Sequence, residues 1–289
     1  MLSSEIIHKS KTIRRLETTW LEAGERGKPI LFFCHGFPDD AGTWSHQMDF
    51  FSNDFHVVAP FVRGCEGSEK AENMRRYGRD AVVLDHLDIL AEVSEGHEPV
   101  ICIGHDLGVV HAMTLARRLG DRLGGVVVIN GLELEMFARR LRDPGQVLKS
   151  WYIGFMQIPF LPEALATIAP HTSQWLVRAL AGGEPCHSVS VGFDRRTLGP
   201  LNQYRAFARE ALTGRDLQPR IKAPVLVLWG RDDGVLVAPT QAEWDRIAFN
   251  STIRIIPGGH WLHRDQAKQS TAFMDGFIRD SLGGIHHAQ

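Results

Sequence analysis

The chain is predicted to form an α/β fold: a mostly parallel sheet flanked by helices, with an all-helical insertion. Three observations predict it. Short β-branched apolar runs alternate with longer amphipathic stretches, as strands and covering helices do. That alternation stops after Asn130 and resumes at Pro224, across a stretch punctuated by Pro144, Pro159, Pro162, Pro170 and Pro200. At 289 residues with 44% hydrophobic content, the chain is long enough for one large core carrying an inserted lobe.

In chain order, an edge strand is expected within Thr12–Glu22, where apolar and polar residues partly alternate. The runs Pro29–Cys34, His56–Pro60, Pro99–Gly104, Gly125–Asn130, Pro224–Gly230 and Ser251–Pro257 read as buried strands. Helices are expected at Asp80–Val93, Asp106–Leu119, Pro239–Phe249 and Asp265–Leu282. The core then spans 1–131 and 213–289, and the insertion 132–212 forms a helical cap over the ends of the strands. The tail beyond Gly283-Gly284, with His286 and His287, is expected to lack structure.

Composition excludes several functions. A net charge of −2 leaves no electrostatic footprint for nucleic acid or an acidic membrane. No apolar run approaches the ~20 residues of a membrane span, and the first ten residues lack the apolar segment of a signal peptide. Cys34, Cys65, Cys102 and Cys186 stand apart without CxxC spacing, as buried thiols in a reducing compartment would, so a cytoplasmic location is expected. Of fourteen histidines only His260-x-x-His263 has helical spacing, with no Cys or Glu nearby, so no metal is expected.

The chemistry concentrates where parallel strands end, since ligands of open sheets gather at their carboxyl ends. Gly104-His105-Asp106-Leu107-Gly108 joins a strand to a helix in the layout of a nucleophile elbow, a strained turn that projects its central side chain. Asp106 stands where such elbows usually carry Ser. A carboxylate is ionised at neutral pH and needs no base to attack. Attack on an ester would yield an anhydride. Attack on a saturated carbon bearing a leaving group yields an alkyl ester that water must cleave.

The other strand ends carry His35-Gly-Phe-Pro-Asp-Asp40, Gly230-Arg-Asp-Asp233 and Pro257-Gly-Gly-His260-Trp261. The order nucleophile, acid, histidine assigns His260 as the base that deprotonates water. Asp233, favoured over Asp232 by its Gly-x-x-Asp spacing, orients the imidazole. The backbone N–H groups of Phe37 and Leu107 are assigned to an oxyanion hole.

These motifs make the chain similar to the α/β-hydrolase superfamily, and within it to the epoxide hydrolases and dehalogenases, from His35 to about Ile278. Arg63-Gly64 fits as well, although Phe61 replaces the Asp usual before it. The resemblance implies the α/β-hydrolase fold and matches Tyr152 and Tyr204, two of only three tyrosines, to the phenols that donate to an epoxide oxygen. Leu107 departs from the Trp common after the nucleophile in both groups. The cap stretch Val147–Leu161 is apolar and aromatic, so Trp151 and Phe155, with His105 and Trp261 from the core, are assigned to substrate contact. The expected activity is hydrolysis of a small hydrophobic epoxide to a vicinal diol, without a cofactor. Two alternatives stay open: a haloalkane or haloacid dehalogenase using the same Asp106, with Trp151 and Trp175 as halide donors, and a non-hydrolytic binding or cyclising protein. A homodimer is open to the chain.

Overall fold

The computed structural model describes residues 5–286 except 66, 72, 170, 171, 173–200 and 214–217. Eight strands form one sheet: β1 (Ile7–Ile13), β2 (Leu16–Ala23), β3 (Ile30–Cys34), β4 (His56–Pro60), β5 (Val100–His105), β6 (Leu123–Ile129), β7 (Val225–Gly230) and β8 (Ser251–Ile256). Their order is β1-β2-β4-β3-β5-β6-β7-β8. β1 and β2 pair antiparallel, as do β2 and β4; every pairing from β4 through β8 is parallel. The single edge strand expected within Thr12–Glu22 is therefore a hairpin. Its turn rests on Arg14 and Arg15, both at positive φ, a conformation the sequence does not advertise because Gly or Asn usually supplies it.

Alternate residues of the central strands enter opposite layers. Ile30, Phe32, Val100, Cys102, Val126 and Val128 join one apolar cluster, and Leu31, Phe33, Ile101, Ile103, Val127 and Ile129 join the other. The second layer is completed by α1 (Ser45–Phe51) and the C-terminal helix, through Met48, Phe51, Met274 and Ile278. The first is completed by α2 (Arg79–Val93) and α3 (Gly108–Ala116), through Val83, Ile89, Val109 and Met113. Burial on both faces explains why these strands read as continuous apolar runs.

Between β6 and β7 every described regular element is a helix: α4 (Leu134–Arg140), α5 (Pro144–Lys149), α6 (Trp151–Gln157), α7 (Leu161–Ile168) and α8 (Leu201–Thr213). Asp143 caps α5, with Pro144 in its first turn. After β7 come α9 (Gln241–Trp244), α10 (Leu262–Asp265) and α11 (Ala267–His286). The helix expected over Pro239–Phe249 shrinks to α9, opened by a Thr240–Glu243 capping box. Of the tail expected to lack structure, the part up to His286 continues the helix through Gly283 and Gly284, and His287 lies outside the described residues. Each glycine there costs about 1 kcal/mol, but extending an existing helix adds one hydrogen bond per residue. Cys34, Cys65 and Cys102 are buried, and Cys186 lies outside the described residues.

Two loops meet without room for side chains. A Cβ on Gly108 would lie 2.1 Å from the Cys34 carbonyl oxygen, and one on Gly104 2.7 Å from the Gly108 carbonyl. Both obstacles are backbone, which cannot rotate away. Gly108→Ala is therefore expected to lower the urea unfolding midpoint sharply. Gly154→Ala, where an added Cβ meets nothing within 4 Å, should leave it unchanged or raise it by up to about 1 kcal/mol of stability.

Candidate active site

The elbow holds Asp106 at a φ of +52°, the left-handed region in which a non-glycine residue is strained. Asp106 N–H donates to the Ile129 carbonyl at 3.3 Å, and α3 begins at once behind it. Gly36 lets the neighbouring turn pass: a Cβ there would fall 2.5 Å from the Asp106 Cβ. That close passage brings the Phe37 N–H onto Asp106 Oδ1 at 3.0 Å. Leu107 is the N-cap of α3, so its amide has no acceptor within the helix.

His260 lies between two carboxylates. Its Nδ1 is 3.0 Å from Asp233 Oδ2 and its Nε2 is 3.4 Å from Asp106 Oδ2, with all three side chains buried. Burial alone would strip the imidazole of its proton. Asp233 and Asp106 override it and raise the pKa to about 10. Burial likewise opposes charge on both aspartates, yet their bonds to His260 hold them below the ordinary carboxylate value.

Asp233, not Asp232, faces the imidazole. Its Oδ1 accepts from the Val235 and Leu236 amides at 2.7 and 2.9 Å, and its Oδ2 accepts from Asn130 Nδ2 at 2.6 Å. Asn130 sits just past β6 at a φ of +40° and also accepts from Gly230 N–H. No motif marks Asn130 in the sequence; its one signal is Asn, a residue tolerant of that conformation, at the end of a buried strand. The helical insertion grips the same loop. Lys149 Nζ donates to the Asp233 carbonyl at 2.6 Å, Gln146 Oε1 accepts from Val237 N–H at 3.0 Å, and Arg140 Nη1 donates to the Val237 carbonyl at 2.8 Å.

A small cavity opens over Asp106. Its lining is Asp106, Leu107, Val110 and Leu236 from the core, and Leu132, Phe137, Tyr152, Ile153, Tyr204 and Phe207 from the insertion. Tyr152 and Tyr204 are both buried, and their rings meet edge-on with centroids 6.0 Å apart. The Tyr204 ring also meets Phe37 edge-on at 4.8 Å. Burial first, then the nearby Asp106 charge, pushes both phenol pKa values up, so both stay protonated donors. The third tyrosine, Tyr77, is away from the cavity and accepts from the Ala71 amide.

The four positions assigned to substrate contact do not line this cavity. On α6 the buried face is Tyr152, Ile153 and Met156, so Trp151, one residue round the helix, is 49% exposed and Phe155 is half-buried. His105 lies beneath the elbow and donates from Nε2 to the His260 carbonyl at 3.0 Å. Trp261 donates from Nε1 to Asp39 Oδ2 at 2.7 Å. Trp175 lies outside the described residues.

Among the described residues one group brings three metal-ligand atoms together: Asp39, His105 and His263, within 4.8 Å of one another and all buried. Burial pushes the Asp39 pKa up to about 6 against the pull of Arg264, and pushes His105 down to about 3.

The sequence profile described as alpha/beta hydrolase fold matches residues 29–267. The chain belongs to the α/β-hydrolase family. Among curated members of that family, it is 28% identical to epoxide hydrolase 4 of Mus musculus over 285 residues, covering 90% of this chain and 76% of that one. It is 29% identical to epoxide hydrolase A of Mycobacterium tuberculosis over 306 residues, covering 89% and 92%. A solved structure described among novel epoxide hydrolases of hot-environment metagenomes superposes with a TM-score of 0.82 at 24% identity, covering 95% and 99%. The Bacillus megaterium epoxide hydrolase, in complex with an inhibitor, superposes with a TM-score of 0.75 at 22% identity, covering 94% and 100%. Among the described residues of this α/β-hydrolase, no helix is long and apolar enough to cross a membrane.

The charge sandwich around His260 is directly measurable. In the resting protein its imidazole ¹⁵N resonances should remain those of the protonated ring at pH 8 and titrate near 10. Asp106→Asn, by removing one of the two carboxylates, should move that titration to lower pH.

Proposed function

We propose that this α/β-hydrolase is an epoxide hydrolase, and that the insertion acts as a cap closing its site. The observation that carries the reading is one apolar cavity lined by an ionised carboxylate and two protonated phenols, with a histidine–carboxylate pair behind it. The similarity to proteins named epoxide hydrolases supports it independently.

Asp106 Oδ2 attacks an epoxide carbon from the side opposite the ring oxygen, and the carbon–oxygen bond of the ring breaks. Tyr152 or Tyr204 passes its proton to the departing alkoxide. Oδ1, held by the Phe37 N–H, becomes the carbonyl oxygen of the ester. Esterification removes the Asp106 charge that helps keep His260 protonated. The imidazole then returns a proton to the phenolate and is left neutral, the form able to take a proton from water.

Water attacks the ester carbonyl, and negative charge gathers on the oxygen held by Phe37 and, in this reading, by Leu107 N–H. Asp233 stabilises the new imidazolium. Collapse breaks the bond from the acyl carbon to the former Oδ2; the departing alkoxide takes the second proton of the attacking water, relayed through His260, to complete the diol, and the water oxygen stays in the Asp106 carboxylate.

The cavity lining favours an epoxide over a halide. Phenols answer the need of a departing alkoxide for a proton, whereas Trp151, assigned as a halide donor, is half exposed outside the cavity. The apolar walls suit a small hydrophobic substrate.

A single turnover of styrene oxide in ¹⁸O water tests the reading. Isotope should enter the peptide containing Asp106 and be absent from the first diol released. Tyr152→Phe and Tyr204→Phe should each slow epoxide opening by about 100- to 1,000-fold, the range for loss of one donor to developing charge. Halide release from haloalkanes without diol formation would establish a dehalogenase. Thermal protection by ligands without turnover, persisting in Asp106→Ala, would establish a binding protein.

A further inference from the structure

Asp39 follows the turn that presents the Phe37 amide, and it is buried, yet the reaction has no use for it as an acid or base. Its neighbours explain what it does. Asp39 Oδ2 accepts from Trp261 Nε1 at 2.7 Å and from Thr43 Oγ1 at 3.0 Å, and Arg264 Nη1 lies 3.5 Å from Oδ1. Trp261 and Arg264 belong to the segment that begins at His260. From the other side, His105 Nε2 donates to the His260 carbonyl at 3.0 Å, while its Nδ1 lies 4.0 Å from Asp39 Oδ2. His263 Nε2 bonds Thr43 Oγ1 at 2.7 Å, and its ring packs 4.3 Å from that of His105. One carboxylate thus joins the turn holding Phe37 to the loop holding His260, and His105 ties the elbow holding Asp106 to that same loop.

The same atoms have the makings of a metal site, but their electrostatics oppose one. Oδ2 already accepts two hydrogen bonds, and Oδ1 faces the Arg264 guanidinium. A divalent cation would add two charges between Arg264 and the protonated His260. A charge-assisted bond from Trp261 is the interaction this carboxylate is built to make.

We propose that Asp39 is a positioning residue for ester hydrolysis: by clamping Trp261, in concert with the His105 bond to the His260 carbonyl, it keeps the His260 ring between Asp106 and Asp233. This rests on the reading of His260 as the base that activates water. Epoxide opening depends instead on Asp106, the Phe37 amide and the phenols, so the two half-reactions respond differently when the clamp is removed.

Rapid mixing with styrene oxide, quenched and read by intact-protein mass, resolves formation of the covalent adduct from its decay. Asp39→Asn keeps the side-chain shape and loses the charge; Trp261→Phe keeps an aromatic ring and loses the donor. Each should slow adduct decay by about 10- to 100-fold, the range for a hydrogen bond to a charged group, while adduct formation stays within about twofold of wild type. The double variant should be no slower than the worse single variant, because both remove one contact. Equal slowing of formation and decay, or decay at the wild-type rate in Trp261→Phe, overturns the proposal while leaving the ester mechanism intact. If His260→Gln, which should trap the adduct, accumulates none, the ester mechanism itself is overturned and this proposal with it.

Discussion

The site depends on one close passage of backbone against backbone. The turn at Gly36 crosses the elbow so tightly that a Cβ at Gly36 or Gly108 would collide with main-chain or Asp106 atoms. This crossing puts the Phe37 amide on Asp106, and it holds Asp106 in a left-handed conformation that a free chain would leave. Strain of about 1–3 kcal/mol persists only where the surroundings overdetermine the geometry. Here α3, the Ile129 carbonyl and the Phe37 turn do so together.

Electrostatics build on that geometry. A protonated imidazole lies between two buried carboxylates, and in the proposed mechanism esterification of Asp106 would change that balance. Under that proposal, losing one carboxylate charge would separate two roles of His260, cation before alkylation and base after it. The apolar walls sharpen this change, because little solvent is present to screen it.

Much of the arrangement was legible in the sequence because it rests on local signals. Buried parallel strands are written as short β-branched runs, and the six parallel strands lie close to where those runs fall. Asp106, Asp233 and His260 follow strand ends, which a parallel sheet gathers along one edge, and the structure brings all three together. What was illegible depends on rotation and on long-range contact. Trp151 and Tyr152 are adjacent in sequence, but the turn of α6 buries one and exposes the other. Trp261 and His105 look like pocket residues by position, yet each spends its donor on a partner far away in sequence, Asp39 and the His260 carbonyl. Asn130 and Asp39 carry no motif of their own.

The grip of the insertion on the Asp233 loop links two parts of the molecule often thought of separately. Lys149, Gln146 and Arg140 hold the main chain of residues 233–238 from above, and the Asp233 carboxylate reaches His260 from that same loop. Grafting the roof of one relative onto the base of another would therefore disturb the acid as well as the substrate chamber. Chimeras of this protein are best joined so that helices α4 and α5 travel with the stretch from Gly230 to Thr240 as a single exchangeable block.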